Sequence, residues 1–157
     1  MLYLDSSALI KLYFAELGSS KLEAALKRAR DAGVSVFSSV LAYAEVHAAV
    51  ARKSREDGVS ELRTAAIHDQ FDKDWALAMS PVEASSGVLR FVRGIVKASQ
   101  IRGADALHLA SALWVRDASH VSSKSGIPTQ LTFVCSDSRL LAAAENQKFP
   151  IFNPEKV

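Results

Sequence analysis

The chain has 157 residues, 49% hydrophobic and 23% charged, with a net charge of +2. That suits a single domain over residues 1–157 with a substantial core, and excludes a disordered or strongly polyelectrolyte chain. The single cysteine, Cys135, excludes an intrachain disulfide and a Cys-cluster zinc site; no apolar run spans a bilayer and no secretory leader opens the sequence, so a reducing cytoplasm is expected.

Residues 1–5 read as a short buried strand ending on Asp5. Residues 6–16 read as a helix that Ser6 or Ser7 caps, and Gly18 breaks the pattern. Over 19–32, Leu22, Ala25, Leu26 and Ala29 recur at spacings of three and four, which predicts an amphipathic helix ended by Gly33. A second strand follows at 34–37. Residues 39–55 read as a long helix with Val40, Leu41, Ala44, Ala48 and Ala49 inside, and Glu45 on the same stripe. Gly58 separates it from a helix at 60–75, and the two are expected to form an antiparallel hairpin.

Residues 76–82 suggest a third strand, with Pro81 near its end, and 83–99 a helix. The helix at 103–117 is the most apolar, with Asp105 as the only acid in its first two turns and Trp114 in its core face. Residues 118–130 are Ser-rich, include Gly126 and Pro128, and read as a loop. A strand at 131–135, a helix at 136–146 and a short strand at 150–152 complete the chain. Strands alternating with helices predict an α/β domain with a mostly parallel sheet of about five strands. In such sheets, ligands bind beyond the carboxyl ends of the strands.

Asp5, Glu45, Asp105 and Asp137 each lie in a stretch that otherwise reads as core or core edge. Asp5 and Asp137 have an ordinary alternative as helix N-caps, and Asp105 as a partner of the helix dipole. Glu45 has none of these, although Arg52 is a possible ion-pair partner. All four map to one rim of the sheet. Carboxylates gathered there would repel one another and raise each other's pKa values unless a cation intervenes. Oxygen donors of this kind suit Mg²⁺ or Mn²⁺, ions that serve phosphoryl chemistry.

Further candidates attach to this rim. Ser7 and Ser136 offer hydroxyls beside the acids, or simply cap helices. His108 lies one turn beyond Asp105, as a substrate contact or as a packed, hydrogen-bonded residue. Arg102, Lys11 and Arg139 are candidate phosphate contacts. The basic groups Lys27-Arg28-Arg30, Arg52-Lys53-Arg55 and Arg90-Arg93-Lys97-Arg102 read first as solvated helix faces.

Four motifs in this order resemble the PIN domains, and most nearly the VapC toxins of prokaryotic toxin–antitoxin pairs. They are Asp5-Ser-Ser-Ala-Leu-Ile-Lys-Leu-Tyr, Ala44-Glu45-Val46, Arg102-Gly-Ala-Asp105-Ala-Leu-His-Leu-Ala and Ser136-Asp137-Ser-Arg-Leu-Leu. The resemblance implies a three-layer α/β/α sandwich and a Mg²⁺- or Mn²⁺-dependent ribonuclease. It places Asp5, Glu45, Asp105 and Asp137 as the acidic quartet, and Ser7 as the hydroxyl two residues after the first acid. Water activated by the metal would hydrolyse an RNA phosphodiester. A small VapB-like antitoxin and a homodimer are implied as partners, with the helical hairpin at 39–75 as the candidate antitoxin groove. Cys135 departs from the pattern, since a Ser or Thr often stands there. A misplaced hydroxyl would weaken support for the metal. Two other functions stay open on sequence alone: a PIN-like module that binds RNA or metal with little cleavage, and a nuclease or phosphatase acting on DNA or another phosphoester.

Overall fold

The computed structural model describes the backbone of residues 1–122 and 130–156, and the side chains of 1–119 and 130–156. Its strands are β1 (Leu2–Leu4), β2 (Val36–Ser39), β3 (Ser80–Val82), β4 (Thr132–Val134) and β5 (Ile151–Phe152). They form one sheet in the order β3-β2-β1-β4-β5, and every pairing is parallel. The helices are α1 (Ser6–Leu9), α2 (Ser19–Asp31), α3 (Val40–Glu56), α4 (Glu61–Ala78), α5 (Ser86–Ala98), α6 (Gly103–Ser122) and α7 (Ser138–Asn146).

Alternation along the strands divides the core in two. Tyr3 and Phe133 face one side, with Val88 and Ile95 of α5, Leu109 and Leu113 of α6, and Leu140 and Leu141 of α7. Leu4 and Val134 face the other, with Leu9, Leu22, Val46, Val50 and Phe71 from α1 to α4. The architecture is therefore the three-layer α/β/α sandwich expected from the sequence. The chain leaves β1 for β2 and β3 on one side, then crosses to β4 and β5 on the other. A crevice thus opens at the carboxyl ends of β1 and β4, where such sheets bind ligands.

Several boundaries differ from the sequence expectation. The helix expected over 6–16 lasts one turn: α1 stops at Leu9 and a 3₁₀ turn follows at Ile10–Leu12. Ser19 draws the chain out of the helix, donating to the Lys11 carbonyl at 2.8 Å and accepting the Glu16 N–H at 3.0 Å. In α3 the buried stripe is Ala42, Val46, Val50 and Ser54, so the two valines, not the smaller Ala44 and Ala48, set the inward face. Glu45 consequently lies beside the core stripe, half-buried. Helix α4 runs on to Ala78, which shortens the third strand to an edge strand where Pro81 withholds no needed hydrogen bond. Helix α5 starts at Ser86 rather than 83. Helix α6 continues to Ser122 instead of stopping at 117, and Ser119 accommodates this by donating its hydroxyl to the Val115 carbonyl at 2.7 Å. The rest of the expected loop, 123–129, lies outside the described residues. Trp114, expected in the core, is 37% exposed.

Gly18 precedes α2 with φ +92°, and a Cβ there would stand 2.6 Å from the Pro154 carbonyl carbon. Both the backbone angle and the backbone contact exclude a side chain. Gly18→Ala should therefore destabilise the protein by about 1–3 kcal/mol. Thermal unfolding of the two proteins checks this, and an unchanged melting point would refute it.

Candidate metal centre

Asp5 follows β1 directly and caps α1. Its Oδ2 accepts the Ser7 N–H at 3.1 Å, the Ser7 hydroxyl at 2.6 Å and the Cys135 thiol at 3.3 Å. Oδ1 has the Ser6 hydroxyl at 3.4 Å and His108 Nε2 at 3.6 Å. Ser7 Oγ in turn accepts the Ser136 N–H at 2.9 Å, which ties the end of β1 to the end of β4.

Glu45 approaches from α3 on one side of the sheet, and His108 from α6 on the other. His108 Nε2 lies 2.8 Å from Glu45 Oε2 and 3.6 Å from Asp5 Oδ1. One donor atom from each of Asp5, Glu45 and His108 falls within 4.8 Å of the others. Asp105 stands in the first turn of α6, where its Oδ2 accepts the Arg102 N–H at 3.2 Å, and its charge acts on His108. Asp137 caps α7, with Oδ1 accepting the Arg139 and Leu140 N–H groups at 2.8 and 3.0 Å. Neither Asp105 nor Asp137 joins a group as tight as 4.8 Å among the described residues. Their capping uses one oxygen each, and the second oxygen makes no hydrogen bond among the described residues.

Burial pushes the Glu45 carboxyl up, but the His108 hydrogen bond and charge, with help from Ser6, bring it below its ordinary value. For His108, burial lowers the imidazole while Glu45, Asp5 and Asp105 raise it, and the net direction is up. Burial and the charge of Asp5 hold the Tyr3 hydroxyl well above the ordinary tyrosine range. Burial likewise keeps the Cys135 thiol protonated, so it serves here as an S–H donor.

The donor set fits a hard divalent cation: carboxylate oxygens and no thiolate, with the imidazole bonded to Glu45 rather than free to ligate. The Ser136 hydroxyl adds a second indication. Among the described residues it is buried without a hydrogen-bond partner, and it lines the same cleft as Ser7 and Glu45. That cleft is about 500 Å³ and runs along α3 from Glu45 to Arg52 and Lys53.

A model of the PIN domain family matches residues 2–122. The chain belongs to the PIN-domain family. Over 117 residues it is 42% identical to ribonuclease VapC45 of Mycobacterium tuberculosis (strain CDC 1551 / Oshkosh), covering 74% of this chain and 78% of that protein. Ribonuclease VapC49 of Mycobacterium tuberculosis (strain ATCC 25618 / H37Rv) is similar to the same extent, so this PIN domain is of the VapC type. Among solved structures, FitAcB from Neisseria gonorrhoeae superposes with a TM-score of 0.64 at 17% identity, over 100% of both chains. VapBC2 from Rickettsia felis, bound to a DNA fragment from their promoter, gives 0.63 at 12% identity over 98% of both chains. At those identities the likeness concerns the fold alone.

Several residues of this PIN domain have roles that the sequence did not show. Lys11 lines the cleft, but it is ion-paired there. Its buried ammonium pairs with Glu16 at 3.2 Å and Glu155 at 2.6 Å, which together outweigh burial and raise its pKa. Lys53 also pairs with Glu16. Arg52 leans toward Glu56 at 3.9 Å, not toward Glu45. Arg102 and Arg139 are exposed and make no ion pair among the described residues. The Cys135 thiol takes up the hydroxyl's position, donating to Asp5 and accepting the Asp137 N–H at 3.2 Å. His108 meets Asp5 and Glu45 beneath the cleft. Its spacing of three from Asp105 on one helix face was the signal available for it.

The Glu45–His108 pair has a pH signature in metal-free protein. Glu45, with a lowered pKa, adds stability above the ordinary carboxyl range, and this is lost as pH falls through its folded value. His108, with a raised pKa, adds stability below the ordinary imidazole range, and this is lost as pH rises through its folded value. Chelator-treated protein should therefore gain most from the pair between those two ranges. Melting curves of wild type and His108→Gln from acid to mildly alkaline pH test this. Profiles that run parallel would exclude the coupling.

Proposed function

We propose that this chain is a divalent-cation-dependent endoribonuclease and the toxin of a VapBC-type pair, acting as a single domain in the cytoplasm. The observation that carries the reading is the meeting of Asp5 and Glu45 with His108 at the carboxyl end of β1, in a chain 42% identical to two proteins named ribonuclease VapC. Asp5, Glu45, Asp105 and Asp137 are the proposed cation ligands, with Mg²⁺ or Mn²⁺ as the ion. When bound, that ion supplies activation of water and stabilisation of charge on the phosphate. The chain's own residues do the rest. Ser7 fixes one oxygen of Asp5 and leaves the other for the ion. Arg52, together with exposed Arg102 and Arg139, offers positive charge for the neighbouring phosphates of a bound strand.

The proposed partners are an RNA substrate, a VapB-like antitoxin and a second copy of the chain. In the hairpin of α3 and α4, Tyr43, His47, Phe71 and Trp75 pack together, and a cavity of about 370 Å³ lies nearer its turn, between Ala51 and Ala65. A larger open groove of about 540 Å³ lies between α2 and α4. Leu12, Leu26, Val36 and Met79 line it, with Glu23, Lys27, Arg30 and Asp74 around them. Such a groove suits an amphipathic helix. Among the described residues, no helix is long and apolar enough to cross a membrane.

The test is incubation of purified protein with total cellular RNA, in Mg²⁺ or Mn²⁺ and in chelator. Fragments that appear only with the ion support the proposal. Intact RNA under every ion condition, from a folded protein, would refute it.

A further inference from the structure

Glu45 is held by residues that never reach the cleft. A carboxylate only accepts hydrogen bonds, so the 2.8 Å contact requires a proton on His108 Nε2. In a neutral imidazole the other nitrogen, Nδ1, is then an acceptor. It lies 3.1 Å from the Tyr3 hydroxyl, which is its donor. The Tyr3 oxygen is itself engaged, accepting the Ser39 N–H at 3.1 Å. The bonds therefore run in one direction: Ser39 N–H to Tyr3, Tyr3 O–H to His108, His108 N–H to Glu45. If the ring is protonated, Nδ1 donates to the Tyr3 oxygen instead, and the Nε2 bond to Glu45 is the same in both forms.

Rigidity comes from burial. Tyr3 is 0% exposed and His108 is 1% exposed. Tyr3 stacks on Phe133 at 5.2 Å and meets the imidazole edge-on at 6.3 Å. The relay joins β1, β2, α6 and α3, and it ends on the helix-borne carboxylate of Glu45. Glu45 is a long side chain with several rotamers, so a fixed donor lowers the entropy lost when a cation captures it.

We propose that Tyr3 and His108 are positioning residues that preset Glu45 for the divalent cation, so that cation affinity depends on a hydroxyl buried beneath the site. The proposal rests on the reading above only in taking Asp5 and Glu45 as cation ligands. It goes beyond that reading by placing a determinant of metal affinity in the core, on a residue with no contact to any of the four acids.

The experiment is a Mn²⁺ titration followed by the electron paramagnetic resonance of the free ion, which does not depend on RNA cleavage. His108→Ala should weaken affinity about tenfold or more, the lower bound for the loss of a partner behind a metal ligand. Tyr3→Phe, which removes only the hydroxyl, should weaken it about threefold, the scale of one neutral hydrogen bond, while retaining the packed ring. His108→Gln should recover most of the loss, because its amide N–H can reach Glu45. A Tyr3→Phe protein that binds Mn²⁺ as tightly as wild type overturns the proposal. If it does so while wild type still cleaves RNA, the nuclease reading survives. If wild type binds Mn²⁺ in this order of affinities but leaves RNA intact, the nuclease reading fails and the positioning relay stands.

Discussion

Asp5→Asn should abolish ion-dependent RNA cleavage and leave the fold unchanged. The two halves of that expectation have different physical sources. Asp5 caps α1, and its Oδ2 accepts the Ser7 backbone and hydroxyl. Asn is about as good an N-cap as Asp, so the helix keeps its start. Asp5→Ala would be a poorer probe, because it also removes the cap at a cost of about 1 kcal/mol. The charge is what Asn lacks. Losing a partner behind a metal ligand costs roughly 10–100-fold in affinity or activity, so losing a ligand's charge should cost more than about 100-fold. Cleavage assays and Mn²⁺ binding, beside a melting curve, decide the matter. Equal cleavage by the mutant would remove Asp5 from the centre.

Phe133→Ala should be the most damaging core substitution. Phe133 lies in β4, 0% exposed, paired in register with Tyr3 of β1. It stacks on Tyr3 at 5.2 Å and meets Phe149 at 6.0 Å. Truncation leaves a cavity between the sheet and the α6–α7 layer, which close packing cannot refill without moving a strand. A buried Phe→Ala costs about 3–5 kcal/mol. Domains have about 5–15 kcal/mol in total, so this is a large share. For a chain of this length the melting point should fall by roughly 6–20 °C. Leu62→Ala is the control, since Leu62 is 84% exposed. It should stay within about 0.5 kcal/mol of wild type. A Phe133→Ala protein as stable as that control would mean the Tyr3 layer is not close-packed.

The two predictions separate function from stability on adjacent strands. Asp5 and Phe133 are both at the β1–β4 junction, yet one faces the crevice and the other the core. Asp5 lies one residue past the end of β1, on the carboxyl rim of the sheet, whereas Phe133 is mid-strand under the helices, and position along the strand makes that separation possible.

Much of this protein was determined by local sequence alone. The alternation of strands and helices, the α/β class and the placing of four acids at element ends follow from periodicity and caps, which act over a few residues. The motifs around Asp5, Glu45, Asp105 and Asp137 were sufficient to suggest the family. What only the tertiary structure decided depends on contacts between distant segments. Crossing from β3 to β4 opens the crevice beside Asp5, and nothing near residue 5 reports it. His108 joins Asp5 and Glu45 because α6 and α3 approach the same strand end from opposite faces. Lys11 looked free on a helix that ends early, and Glu155, far along the chain, neutralises it instead. Cys135 looked like a lost hydroxyl until β4 set its thiol against Asp5. A side chain's type is local information; its partner's distance is set by packing, and that distance decides whether a carboxylate is a cap, an ion pair or a ligand.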